Sequence, residues 1–160
     1  MIDKNTLRYR QSTMAVVTND DGKILLVQKD NYQDNEWDFP GGGVEENEIP
    51  EQAVLRELEE ELGASKFEII AKSKTVDQYE WPDNVIERKF QELGKTWRGQ
   101  QRTQFLIKFT GVNTDIVFPK SEIRQTLWVL PKELYKYFIF PKQFEKAKKL
   151  LEEFLQHTEK

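Results

Sequence analysis

The chain has 160 residues, of which 32% are charged and 38% hydrophobic, with no cysteine and a net charge of −4. That length is enough for one domain to bury a core, and the missing cysteines exclude disulfides, thiolate metal sites and cysteine nucleophiles. No apolar run approaches the roughly 18 residues of a membrane span, and the opening MIDKNTLRYR lacks the apolar stretch of a secretory signal, so a cytoplasmic protein without a membrane partner is expected. The one histidine, His157, sits four positions from the end seen here and is expected to be inert. Acid–base chemistry therefore falls to carboxylates. Charge is uneven: residues 1–65 carry 6 Lys+Arg against 15 Asp+Glu, and residues 66–160 carry 18 against 13. An acidic half beside a basic half suits a polyanionic substrate held partly through a metal and partly through Lys and Arg.

In chain order, residues 1–11 read as polar and irregular. Ser12–Thr18 and Ile24–Lys29 read as strands joined by the turn signal Asn19-Asp20-Asp21-Gly22, a hairpin. A polar loop leads to Trp37-Asp38-Phe39-Pro40 and three glycines. Residues 50–62 read as a helix. Pro50 suits a first turn, Val54, Leu55, Leu58 and Leu62 recur on one face, and Gly63 suits a left-handed stop. Lys66–Lys74 reads as a strand, Tyr79–Pro82 as a short extended piece, and Val85–Phe90 as strand or loop. Gln91–Gln100 reads as a loop with the basic pair Lys95 and Arg98. Gln101–Phe109 is a further strand, Asn113–Lys120 a turn and short strand, and Ile123–Leu130 a buried strand. Pro131–Tyr137 reads as a short helix and Pro141–His157 as a long amphipathic one. Strands mixed with helices predict one layered α/β or α+β domain over residues 1–160.

The informative stretch is Gly42 to Ala64, GGVEENEIPEQAVLRELEEELGA. Glu57, Glu60 and Glu61 lie i+3 and i+4 apart, so their carboxylates are neighbours on the helix. Glu60 and Glu61 also approach the helix C-terminus, where the dipole disfavours anions. An ordinary solvated acidic face is the bland alternative. Against it, Glu57 and Glu61 border the apolar stripe, Arg56 stands beside them to pair with carboxylates, and glycines allow backbone to approach a ligand. Hard divalent cations take this donor type; Mg²⁺ uses a few carboxylates with waters and substrate phosphates.

The spacing Gly42, Glu48, then Arg56-Glu57-Leu58-Glu59-Glu60-Glu61-Leu62-Gly63 resembles the Nudix box, the signature of hydrolases of nucleoside diphosphates linked to another group. Ala64 departs from it, standing where a larger aliphatic is usual. The resemblance implies an α/β/α sandwich with a mixed sheet and Mg²⁺ or Mn²⁺ bound by Glu57, Glu60 and Glu61. Gly42 contributes to the metal site, and Glu48 and Arg56 support it. Flanking segments are similar to one branch, the bacterial RNA 5′-pyrophosphohydrolases and related dinucleoside polyphosphate hydrolases. They are Trp37-Asp38-Phe39-Pro40, Tyr79-Glu80-Trp81-Pro82, Trp97-Arg98-Gly99-Gln100-Gln101 and Ser121-Glu122 before Trp128-Val129. Gly41 replaces the usual Gln of that branch, and Arg10-Gln11 the usual Arg-Pro.

By the same resemblance Glu122 is a carboxylate outside the box, a metal ligand or the base. Lys29 and Lys142 match basic substrate-binding positions, and Arg8 or Arg10 holds terminal phosphates. The implied chemistry is metal-assisted attack of water on a phosphoanhydride, with a carboxylate taking the proton. The expected partners are RNA 5′ ends or dinucleoside polyphosphates, with a regulatory protein besides. Two competing readings are a non-catalytic nucleotide or RNA sensor, which the full set of box carboxylates opposes, and an acidic scaffold without a ligand, which the spacing opposes.

Overall fold

The computed structural model describes residues 2–112, 115–117 and 123–158, with residues 157 and 158 described by backbone only. Five strands form one mixed sheet in the order β3-β4-β1-β2-β5. They are β1 (Tyr9–Thr18), β2 (Ile24–Lys29), β3 (Phe67–Glu80), β4 (Gly99–Phe109) and β5 (Ile123–Val129). β1 runs parallel to β4 over its whole length, from Tyr9 opposite Gly99 to Thr18 opposite Lys108, and the other pairs are antiparallel. Among the described residues the α-helices are α1 (Pro50–Leu62), α2 (Asp83–Leu93) and α3 (Gln143–Thr158).

Strand alternation divides the core. Ala15 and Val17 join Val54, Leu58 and Leu62 of α1 on one face of the sheet. Met14 and Val16 join Ala147, Leu150 and Phe154 of α3 on the other. Successive side chains of a strand point to opposite faces, so a run apolar at every position, as Met14–Val17 is, belongs to a strand covered on both sides. The result is the expected α/β/α sandwich. Val54, Leu58 and Leu62, each fully buried, contribute about 1.5–3 kcal/mol of burial apiece, which seats that helix against the sheet despite its acidic flank.

The helix that carries the glutamates has the expected bounds. Gly63 stops it at φ +66°, its N–H donating to the Glu59 carbonyl at 2.9 Å. A side chain there would be strained in that conformation and would also meet the Val117 carbonyl at 2.2 Å.

The structure corrects several expectations. Residues 1–11 are not irregular throughout: Lys4–Thr6 forms a 3-10 turn and β1 begins at Tyr9. β3 continues to Glu80, because register shifts opposite β4 accommodate its polar middle. The segment read as strand or loop at Val85–Phe90 lies inside α2, framed by Pro82 before it and by Gly94 at φ +73° after it. Only Ile86 of that helix is fully buried, so the β-branched Val85-Ile86 pair outweighed a weak helical pattern. The short helix expected at Pro131–Tyr137 is present as a 3-10 helix over Pro131–Lys136. Residues 115–117 are not in a strand, and the rest of the expected turn and strand at 113–120 lies outside the described residues.

Candidate active site

β1 and β2 pair only near their turn, at Thr18 and Ile24. Beyond that they part, and the segment from Asp38 to Val44 fills the gap. Asp38 exchanges backbone hydrogen bonds of 2.8 and 3.0 Å with Val27 of β2. The carbonyls of Pro40 and Gly42 accept from Ala15 and Thr13 of β1, and Val44 donates to Gln11. The glycine loop is thus stitched to the sheet at backbone level, which explains its composition. A Cβ on Gly41, at φ +149°, would lie 2.2 Å from the Thr13 carbonyl oxygen. A Cβ on Gly42 would lie 2.3 Å from the Glu57 carboxyl carbon.

A cleft of about 620 Å³ opens where this loop meets α1. Glu57, Glu61 and Gly41 to Gly43 line one part of it; Arg10, Lys29, Lys89, Arg102 and Gln100 line the rest. Glu61 is buried, at 3% exposure. Arg56 anchors the acidic wall. Its Nε and Nη2 donate to the two oxygens of Glu48 at 2.8 and 2.9 Å, Nη2 also to the Gly43 carbonyl at 2.9 Å, and Nη1 to Glu57 at 3.1 Å and Glu60 at 3.2 Å. The hydrogen bonds from Arg56, with the Glu45 backbone N–H, hold the Glu48 carboxyl at a pKa of about 2, and Glu48 in turn raises that of Arg56.

The expected site residues therefore divide. Glu57, Glu61, Gly42, Arg10 and Lys29 come together in the cleft. Arg56 and Glu48 stand behind it as the brace. Glu60 is 58% exposed and faces Arg56. Arg8 is exposed and outside the cleft lining, so of the two arginines offered for the phosphates the cleft has Arg10. Lys142 is also exposed and outside the lining, at φ +66° just before α3. Glu122 lies outside the described residues, and the side chain of His157 is not described either.

Two basic cleft residues escaped the sequence reading. Lys89 was missed because α2 was. Arg102 was missed because it sits mid-strand, where its partners are remote in sequence: Asp77 at 2.7 Å and Asp38 at 3.5 Å. Burial works against its charge, but Asp38, Tyr79 and Asp77 more than compensate and raise its pKa. Lys146 of α3 donates to the other oxygen of Asp77 at 2.8 Å. Burial alone would raise the Asp77 pKa; Lys146 and Arg102 reverse that and lower it.

The donor set on α1 suits a hard divalent cation, since every candidate atom is a carboxylate oxygen and Gly42 leaves the space beside Glu57 that a side chain would fill. Among the described residues no three such side chains are already gathered tightly around one point; Glu60 is turned onto Arg56 instead.

Comparison with known proteins agrees with this geometry. The NUDIX domain model matches residues 8–154. An RNA pyrophosphohydrolase of Sphingopyxis alaskensis is 34% identical over 160 residues, covering 96% of this chain and 98% of its own. Nudix hydrolase 26, chloroplastic, of Arabidopsis thaliana is 30% identical, covering 94% of this chain and 71% of its own. Among solved structures, the E. coli dihydroneopterin triphosphate pyrophosphohydrolase superposes with a TM-score of 0.67 at 19% identity, covering 89% of this chain and 96% of that one. A C. elegans Ap4A hydrolase complex gives 0.64 at 17%, covering 91% and 98%. With the box glutamates on α1, the sandwich around them and matches along nearly its whole length, the chain belongs to the Nudix hydrolase family.

Proposed function

We propose that this protein hydrolyses phosphoanhydride bonds with the help of Mg²⁺ or Mn²⁺, and that its substrate is the 5′-triphosphate end of RNA, from which it removes pyrophosphate. The observation that carries the reading is the meeting of carboxylates and basic side chains in one cleft. The carboxylates of Glu57 and Glu61 and the basic side chains of Arg10, Lys29, Lys89 and Arg102 line the same cavity. A neutral substrate would gain nothing from either half; a polyphosphate gains from both. The RNA end is chosen because two relatives that match 96% and 95% of this chain are named RNA pyrophosphohydrolases.

In this reading Glu57, Glu60 and Glu61 hold the cation, with Glu122 added on the family resemblance. A bound divalent ion supplies Lewis-acid neutralisation of the phosphoryl oxygens. The chain's own residues do the rest. Arg10 and Lys29 bind the terminal phosphates, and the backbone of Gly41 to Gly43 lets them approach α1. A carboxylate of the acidic wall takes the proton of the attacking water. Arg56 and Glu48 keep that wall in place. No helix among the described residues is long and apolar enough to cross a membrane, which is compatible with a cytoplasmic role in RNA decay.

The test is turnover with Mg²⁺ on 5′-triphosphorylated RNA and on diadenosine tetraphosphate side by side, with Glu61→Gln as control. Faster release from RNA, lost in the variant, is the expected result. Faster cleavage of the dinucleotide would instead make this a dinucleoside polyphosphate hydrolase using the same site.

A further inference from the structure

Beside the cleft, and sharing Lys89 with it, lies a second group of side chains. The rings of Trp81 and Trp97 meet edge to face, centroids 6.3 Å apart. Each carries an ammonium over it: Lys89 at 5.0 Å from Trp81 and Lys95 at 5.5 Å from Trp97. Both rings are half-buried rather than sealed in the core, and Lys95 is exposed. Residues 81–102 hold five basic and three acidic side chains, in contrast to the acidic first 65 residues.

The group is continuous with the cleft. Arg10 and Gln100 are paired across β1 and β4, and both line the cleft. Two residues before Gln100, about 7 Å of extended chain and just ahead of β4, Arg98 donates its backbone N–H to the Arg8 carbonyl and accepts from the N–H of Trp81. Lys89 belongs to both places, lining the cleft and covering Trp81.

We infer that the shelf of Trp81, Trp97, Lys89 and Lys95 carries the single-stranded RNA that follows the 5′-terminal nucleotides. Bases stack on the indole rings and the backbone phosphates meet the two ammonium groups. Aromatic platforms set among cations bind single strands with little regard to sequence, because every base has a π face and every nucleotide a phosphate. A substrate made of two nucleosides joined by phosphates ends at the cleft and has no strand to lay there. The shelf thus deepens the RNA reading and rests on it for the identity of the strand.

The test uses Lys95→Glu, Trp97→Leu and their combination, all away from the cleft lining. Two triphosphorylated substrates are compared, a dinucleotide and a 12-nucleotide single strand, and binding of a 5′-hydroxyl 12-nucleotide RNA is followed by fluorescence anisotropy. The double variant is expected to raise KM roughly tenfold on the long strand and less than twofold on the dinucleotide, and to weaken RNA binding roughly tenfold. Lys95→Glu, an exposed charge reversal that leaves the fold alone, should give part of each effect. RNA turnover with equal changes on both substrates, or with no change, overturns the shelf and leaves the RNA reading standing. Absent RNA turnover with binding still lost in the variants overturns the RNA-end reading and keeps the shelf. RNA neither bound nor turned over overturns both.

Discussion

Arg56 grips Glu48 across seven intervening residues with two parallel hydrogen bonds, Nε to Oε2 at 2.8 Å and Nη2 to Oε1 at 2.9 Å. The same guanidinium reaches Glu57 and Glu60 through Nη1. One planar cation therefore ties the loop before α1 to the carboxylates on it. Lysine keeps the charge but not the fork. Arg56→Lys is expected to lower kcat roughly 10–100-fold, as loss of a group that orients metal ligands does, and to cost about 1–2 kcal/mol in a urea melt. A variant with unchanged kcat would show that the wall holds its own geometry.

The same pair sets an acid limit. Glu48 is held at a pKa of about 2, below its ordinary 4.5. A carboxyl lowered on folding adds stability that is fully present above pH 4.5 and is lost as pH falls toward 2. Urea midpoints measured from pH 6 down to pH 2 should fall faster in that window for the unmodified protein than for Glu48→Gln. The Gln variant should also be less stable at pH 7, where Arg56 has lost its charged partner.

Much of this was legible in the sequence because it is local. α1 announces itself through Pro50, its apolar face and Gly63, and its three glutamates share one helix. β1 and β2 are separated by an unmistakable turn. What was not legible depends on distant partners. Arg102 acquires its place from Asp38 and Asp77, which arrive from other segments. α2 buries one residue completely, so its periodicity is faint, and Lys89 went with it. Fully buried Gln28 is another case. Its amide donates to the carbonyls of Gln33 and Asp34 and its oxygen accepts from Arg124, which shapes the loop after Lys29, yet a glutamine at a strand end signals nothing alone.

The two neighbouring glycines should fail differently. At Gly41 the obstacle is backbone, the Thr13 carbonyl 2.2 Å from a new Cβ, and φ is +149°. Gly41→Ala is expected to cost about 3 kcal/mol of stability, seen in thermal or urea melts. At Gly42 the obstacle is the end of the Glu57 side chain, which can swing aside. Gly42→Ala should keep its melting temperature within a few degrees while losing at least roughly 100-fold in kcat. Equal stability losses at both positions would contradict this division.

Asp77 is shared by Arg102 at 2.7 Å and Lys146 at 2.8 Å, and so joins β3, β4 and α3. Asp77→Asn leaves two cations facing a neutral amide. About 2 kcal/mol of stability should go, less than a fully buried pair would lose because Lys146 is half exposed. Since Arg102 also lines the cleft, KM for a polyphosphate substrate should rise as well. A stability loss with KM unchanged would mean that Arg102 stays where it is without its aspartate.

The three box glutamates are not equivalent in this structure, and metal binding should reveal it. Glu57 and Glu61 line the cleft, while Glu60 is 58% exposed and lies against Arg56. Calorimetric titration of Mn²⁺ into Glu57→Gln or Glu61→Gln should show binding reduced beyond detection at millimolar metal. Glu60→Gln should weaken it by roughly tenfold, because its carboxylate is exposed and outside the cleft lining and so adds less than a ligand already placed there. The titration reads the ion directly, apart from turnover. Equal losses in all three would place Glu60 on the same footing as the others, and unaltered binding in Glu61→Gln would move the metal site off α1.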